Sequence, residues 1–520
     1  MIKINIFILL AMFSYSECAN ILYVIPFTSR SHTIMLKPIG LELARKGHNV
    51  TVITGRLEKT DLPNYHQIQI DHKEIWEILG TERPNVFTMT EISAEEFHNL
   101  ILWRGGLAFT EMALNSSQVR QFLVEDNKFD LVISEQFYQE AMYTLALKYQ
   151  APLVLVTTFG NCMRHNIATR NPLQLATVIP EFLQLTDPTS FWGRLRNVYF
   201  TFYEFVWWRY WYLVEQEQLA KKYIPGLPNH LPSLYDIQRN VSLLMINSHF
   251  SFDSAIAYLP NIVEIGGVHL SHSIEKLPKD LQTLLDKATD GVIYVSFGSN
   301  VRSSELPTDK MEAFLKVFSE VNQTILWKWE DDKLKTKSKN IVFRKWFPQK
   351  EILSHPNIKV FISHGGLIGT QEAIFHGVPI IGVPIYSDQY NNLLQVQNFG
   401  FGKILRFDDI NEQNLRNKLI DVLSDNSYQI KAKEVSNRFK DRPMNPLDTA
   451  VFWIEYVIRH KGADFMKNPA LQLSWLSYNM FDVCIFLLLV LILFLYLIFR
   501  VIICLRQYFL KNDLAKSKKL

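Results

Sequence analysis

Two histidines, five acidic or amide side chains and one tryptophan stand where the hydrophobic runs of this chain end, and side chains at such ends are placed to do chemistry. His32 follows an apolar run at 21–26 and a loop at 27–31, and stands at the start of an amphipathic stretch at 34–46 that Gly47 closes. A neutral imidazole there can take a proton, or serve only as a helix cap. Glu135 ends a second apolar run that begins at Phe129. It can partner a base, or merely complement a helix N-terminus. His364-Gly365-Gly366 joins a short strand, Val-Phe-Ile-Ser, to a helix that ends at Gly377. A strand turning through glycines into a helix offers unpaired backbone N–H groups and the positive end of a helix dipole, a place for a phosphate or diphosphate. The two glycines would let backbone approach a ligand closely, and His364 would add a hydrogen bond. Upstream, Trp346 offers a flat indole for a base and Gln349 a paired donor and acceptor for its edge. Glu372 lies in the following helix, and Asp388-Gln389 follows a further apolar strand at 378–384. Carboxylates and an amide there suit a ligand rich in hydroxyls.

The elements that must hold these side chains read as βαβ units. Strand, loop, helix and strand follow one another over residues 21–54, and this spacing points to a parallel sheet. More apolar strands are expected at 151–157, and a second series runs from 291–295 through 325–328 and 341–343 to Trp346. Ser296-Phe-Gly-Ser299 is the phosphate-side turn of that series, and Ser299 is its donor. Open parallel sheets bind ligands at the C-terminal ends of their strands, where His32, Glu135, Ser299 and His364 all fall.

With 520 residues the chain is long enough for two domains and appendages. Charge is nearly balanced, 54 basic against 51 acidic residues, so nucleic acid is not an expected partner. No Cys/His cluster has metal-ligand spacing. The four cysteines are Cys18, Cys162, Cys484 and Cys504. Only Cys162 falls in the expected folded part, so no internal disulfide is expected there.

The run 346–389 resembles, without a gap, the nucleotide-sugar signature of the UDP-glycosyltransferases, the family that includes the UDP-glucuronosyltransferases. The resemblance implies that Trp346 stacks on uracil, Gln349 pairs with it, and Glu372 holds the ribose. It also implies that His364, Gly365, Gly366 and Ser299 meet the diphosphate, and that Asp388 and Gln389 bind the sugar. Ser31-His32 matches the family's catalytic base, and Glu135 stands where relatives usually carry the aspartate of a dyad. Two departures are visible: Ile368 replaces an asparagine found in many relatives, and Ser-Ala-Ile-Ala at 254–257 replaces a Pro-Arg-Pro. The strings around 247–253 and 263–269 resemble the strands closing the family's first domain, and the helix at 445–460 is one that crosses back onto it.

Residues 1–18 have the form of a signal peptide. Residues 480–499 carry one charge, Asp482, over the length of a spanning helix, and Arg500, Arg506, Lys511, Lys516, Lys518 and Lys519 follow. This predicts a single-pass type I protein with a cytosolic tail at 500–520. The terminal Lys-Ser-Lys-Lys-Leu reads either as a dilysine retrieval signal of the endoplasmic reticulum or as a solvated basic tail. Asn115, Asn240 and Asn322 begin glycosylation sequons, as does Asn49, whose Thr51 lies in an expected strand. Residues 191–212 hold twelve aromatics among 22 residues. They admit three readings: helices packed on the sheet, the wall of an acceptor pocket, or a helix lying on a bilayer.

The expected architecture is α/β: two doubly wound Rossmann-like domains facing a cleft, the arrangement that the resemblance names GT-B, with a C-terminal transmembrane helix. An acceptor domain at 19–270, a linker at 271–279, a UDP-sugar domain at 280–460 and a juxtamembrane stretch at 461–479 are expected. The implied reaction is inverting transfer of a hexose from a UDP-sugar, a co-substrate rather than a cofactor, to small lipophilic hydroxylated acceptors, without a metal. UDP-glucose is favoured over UDP-glucuronate because Asp388 would oppose the donor's carboxylate. The alternative from another class is a silent membrane subunit that binds the sugar nucleotide, against which His32 speaks; homo-oligomerisation stays open.

Overall fold

The computed structural model describes residues 18–71, 77, 85–253, 255–271, 275–332, 334 and 336–517. The expected signal peptide up to residue 17, Ser254, part of the expected linker and the last three residues lie outside the described residues.

The first sheet contains β1 (Asn20–Ile25), β2 (Asn49–Thr54), β3 (Tyr65–Gln69), β4 (Leu131–Glu135), β5 (Leu153–Val156), β6 (Leu243–Ile246) and β7 (Ile262–Glu264). All are parallel, in the order β3-β2-β1-β4-β5-β6-β7. Leu22 and Val24 face one core and Ile21, Tyr23 and Ile25 the other. Both faces are therefore covered, as a parallel sheet requires. The helix after β1, α1 (Arg30–Arg45), starts four residues before the stretch that periodicity marks. Its first turn is polar, Arg30 to Thr33, and Ser29 adopts the extended N-cap geometry. A polar first turn carries no hydrophobic period, so only the backbone reveals it. Two further helices of this half are α2 (Arg104–Asn115) and α3 (Phe191–Trp207).

The second sheet contains β8 (Val292–Ser296), β9 (Thr324–Lys328), β10 (Ile341–Arg344), β11 (Ile358–Ser363), β12 (Ile380–Gly382) and β13 (Gly402–Ile404). Its order is β10-β9-β8-β11-β12-β13, again parallel. Between β11 and β12 runs α4 (Leu367–His376), ended by Gly377 at φ 66°. Between β12 and β13 runs α5 (Gln389–Asn398). The strand order reverses between β1 and β4 in one sheet and between β8 and β11 in the other. Such reversals open a crevice at the strand ends.

The halves are tied in three ways. First, α6 (Pro446–Arg459) buries Leu447, Val451 and Ile454 in the core beneath β1, and its Glu455 lies 3.6 Å from Lys46 and 3.5 Å from His48. Second, Gln371 on α4 accepts from the Gly267 amide at 3.0 Å and donates to the Asn247 carbonyl at 3.2 Å. Third, the short helical segment Val86–Glu91 crosses to the second sheet, where Phe87 stacks on Phe407 with centroids 5.1 Å apart. Part of the expected 19–270 half thus builds the core of the other half.

Residues Asn468–Leu520 form a separate unit. Its long helix is α7 (Phe481–Ser517), and Phe481–Asn512 within it is long and apolar enough to cross a membrane, its most apolar 18 residues having a mean hydropathy of 3.1. The helix does not stop at 499 as expected, because Arg500, Arg506 and Lys511 are good helix formers and nothing breaks it.

Candidate active site

His32 is the third residue of α1, and Glu135 is the last residue of β4, beside β1 in the sheet. This brings them together: His32 Nδ1 and Glu135 Oε1 are in direct hydrogen-bond contact. The carboxylate is fully buried and its second oxygen accepts from the Phe27 amide at 3.4 Å. An acceptor at Nδ1 places the ring's proton there and leaves Nε2 with its lone pair. Thr158, which the sequence reading missed, puts its hydroxyl 3.1 Å from Nδ1 and 3.4 Å from Nε2. The rings of Phe27, Phe137 and Phe159 surround the imidazole, with centroids 4.6, 4.8 and 5.8 Å away.

The other cluster is built on the second sheet. Ser296 and Ser363 pair across β8 and β11, so the turn carrying Ser299 lies beside His364. A Cβ on Gly366 would come 2.6 Å from His364 Nε2, and one on Gly298 2.6 Å from its Cε1. A Cβ on Gly365 would meet Leu393 at 2.5 Å. The glycines make room for the imidazole and for α5, and Gly366 also lines the larger of the two cavities described below. Burial, with Lys328 nearby, pushes the His364 pKa down to about 3, so it is a neutral hydrogen-bonding group. Lys328, a second residue missed from sequence, donates to the Gly298 carbonyl at 2.9 Å and pairs with Glu330.

Gln349 and Glu372 meet: the amide of Gln349 donates to the carboxyl at 2.5 Å and accepts from Tyr294 at 3.2 Å. Asp388 accepts from Asn392 at 2.8 Å, and burial lifts its pKa to about 6. The carbonyl oxygen of Gln389 accepts from the Ile385 and Tyr386 amides at 2.9 and 3.2 Å, which leaves its NH2 group available. Ile368 packs against the core of the first half, so an apolar contact across the cleft stands where relatives carry a polar side chain. Trp346 is 42% exposed, with the Arg30 guanidinium over its ring, 3.4 Å from the centroid. Burial and the charge of Arg56 hold Arg30 below its ordinary pKa.

Two adjoining cavities result. One, about 510 Å³, is lined by Ser299, Trp346, Gln349, His364, Glu372 and Asp388 among others. The other, about 440 Å³, is walled by Phe27, Phe97, Phe109, Phe137 and Phe159. His32 lines both. Gln139 is fully buried in the aromatic wall, and neither atom of its amide has a partner among the described residues. No side chain from 191–212 lines this cavity, while Arg196 lines a smaller one beside it with Phe97 and Tyr386.

Burial raises the Glu372 pKa from 4.5 to about 7. A carboxyl whose folded pKa exceeds its unfolded one binds its proton more tightly when folded. Its cost to stability therefore grows as pH rises between those two values and is fully present above the higher one. Glu372→Gln is expected to raise Tm by about 2 °C near pH 8, with little effect near pH 5. Equal shifts at both pH values in thermal melts would show that the gain comes from packing.

A family model described as UDP-glucoronosyl and UDP-glucosyl transferase matches residues 20–516. UDP-glucosyltransferase 2 of Dactylopius coccus is 34% identical over 486 residues, covering 92% of this chain and 93% of that protein. UDP-glucuronosyltransferase 2B19 of Macaca fascicularis is 28% identical over 515 residues, covering 95% of each. Among solved structures, the calicheamicin glycosyltransferase CalG4 shares the fold with a TM-score of 0.54 over 85% of this chain and 99% of its own, at 17% identity.

Proposed function

The chain belongs to the UDP-glycosyltransferases, and we propose that it transfers glucose from UDP-glucose, with inversion, to a hydroxyl of a small lipophilic acceptor. The observation that carries this reading is the position of His32, in the wall of both the polar and the aromatic cavity. The acceptor's hydroxyl gives its proton to Nε2 as its oxygen attacks the anomeric carbon from the aromatic side. The bond from that carbon to the β-phosphate oxygen breaks on the opposite face, and UDP leaves with the electron pair. Glu135 offsets the charge that forms on the ring. The negative charge on the leaving diphosphate is met by the N-terminus of α4, His364, Ser299 and Lys328. Glu372 holds the ribose hydroxyls, while Asp388 and Gln389 hold those of the sugar. Gln139 offers a donor and an acceptor to a second polar group on an otherwise apolar acceptor.

Glucose is favoured because Asp388 and Glu372 both face the donor cavity, where a glucuronate carboxylate would meet like charge. Of the cations lining that cavity, Lys328 is paired with Glu330, Lys37 with Glu58, and Arg30 lies over Trp346. The relative named a glucosyltransferase is 34% identical, against 28% for the one named a glucuronosyltransferase. Microsomes holding the full chain, given each donor with a panel of phenols, are expected to form glucosides. Glucuronides as the sole products would overturn the donor assignment.

Trp346→Ala should weaken UDP binding by about 1–3 kcal/mol, the scale of a base stacked on an aromatic ring. Its exposure in the cleft means the fold should survive. Calorimetry showing unchanged UDP affinity in a folded variant would reduce Trp346 to a seat for Arg30.

The basic residues after the apolar run support a cytosolic tail, hence a type I anchor with the catalytic fold in the lumen of the endoplasmic reticulum. Of the two lysines of the retrieval signal, three and five residues from the terminus, Lys516 lies within α7 and Lys518 lies outside the described residues.

A further inference from the structure

The helix α3 (Phe191–Trp207) is amphipathic in the wrong sense for water. Its inward face carries polar groups: Asn197 donates to the carbonyls of Leu175 and Val178 at 2.9 and 2.7 Å, and Thr201 donates to Asn197 at 3.2 Å. Glu204 is buried too, bonded to Arg164 and 3.3 Å from His98 Nε2. The outward face carries Phe191, Trp192, Leu195, Val198, Tyr199 and Phe202, with Trp192 73% and Phe202 67% exposed. Tyr210 continues the stripe in the next turn, 69% exposed. A soluble surface helix has the opposite arrangement, and an exposed patch of this kind marks an interaction surface.

We propose that this outward face of α3 lies in the headgroup–acyl boundary of the bilayer to which the chain is anchored. Three observations favour lipid over another protein. The chain brings its own membrane: the globular unit ends at Lys467 and the apolar helix starts at Phe481, so a short tether keeps the fold near a bilayer. The composition is that of an interfacial helix, with Trp and Tyr alongside Phe and Leu. The charge also suits phospholipid phosphates: Arg194 is exposed on the helix, while Glu204, the single acid of residues 191–214, is turned inward. The face also lies one helical layer from the aromatic cavity. Trp103 packs on Tyr203 and Trp207 with centroids 6.2 and 6.4 Å apart, and its neighbours Leu102, Gly105 and Gly106 line that cavity.

The test uses the full chain with Cys18, Cys484 and Cys504 changed to Ser, leaving the buried Cys162. A single cysteine is placed at Phe202 (F202C) or at Trp192 (W192C). A control cysteine replaces Lys316, an exposed residue of the other half. Each is labelled with an environment-sensitive fluorophore and reconstituted in vesicles of phosphatidylcholine and phosphatidylserine, with or without bromine on the acyl chains. Retained UDP binding reports that the fold is intact. Bromine is expected to cut emission at 202 and 192 by about twofold or more and to leave 316 unchanged. Emission at 202 and 192 indifferent to bromine would overturn the proposal. Energy transfer between labels on separate chains, without quenching by bromine, would assign the face to a second copy and overturn it equally.

Discussion

Replacing His32 with alanine is expected to abolish sugar transfer while UDP binds as before. The imidazole lines both cavities, and the contact of its Nδ1 with Glu135 leaves Nε2 to face the acceptor. Aromatic rings around it leave little room for water to substitute as base. Removing a general base costs about 10²–10⁴-fold, and the other basic side chains lining both cavities, Arg30 and Lys328, are cations with donors and no acceptor. The loss should therefore reach the upper end of that span. UDP binding should hold, because the groups assigned to the nucleotide are Trp346, Gln349 and Glu372 on the second sheet. Residual turnover within about tenfold of the parent enzyme, in a variant that binds UDP, would remove His32 from the role of base.

Glu135→Gln should lower turnover by about 10²–10⁴-fold with little change in UDP affinity. The substitution keeps size and shape at a site with no exposure, so packing should not change. What changes is charge. The transition state places a positive charge on His32 near the start of α1, where the helix dipole opposes a cation. A buried carboxylate in contact with the ring offsets this, and also holds the tautomer that leaves Nε2 free. An amide can still accept a hydrogen bond, but it brings no charge and can instead present its NH2 to the ring. Glu135→Asp should do less harm, since it keeps the charge while withdrawing it by about 1.5 Å, one carbon–carbon bond. Near-normal turnover in Glu135→Gln would leave Glu135 as a carboxylate that only complements the start of α1.

The nucleotide half of the site was legible because it is local. Residues 346–389 contribute a tryptophan, a turn, a helix and a following loop in one run, so spacing alone brings their side chains to one edge of the second sheet. His32 and Glu135 were legible for a related reason: each ends a βα joint, and a parallel sheet gathers such joints at one edge. The roles of the glycines at 365 and 366 were not legible. What occupies the place of a missing Cβ depends on distant neighbours, and here the imidazole of His364 and Leu393 of α5 take that space.

The sequence by itself determined the parallel α/β halves, the glycine turn between β11 and α4, and the apolar C-terminal helix, because each rests on a pattern within a few turns of chain. The tertiary structure alone decided the aromatic cavity, whose wall draws on Phe27, Phe97, Phe109, Phe137 and Phe159 from separate segments. It also decided that Thr158 reaches His32, that Arg30 covers Trp346, and that Val86–Glu91 belongs to the other core. The direction of α3 belongs here too. Periodicity shows that its aromatics share a face, but which face turns inward was settled by distant partners. Arg164 and His98 claim Glu204, and the carbonyls of Leu175 and Val178 claim Asn197. Burying those polar groups unpaired would cost more than leaving the aromatic rings outside.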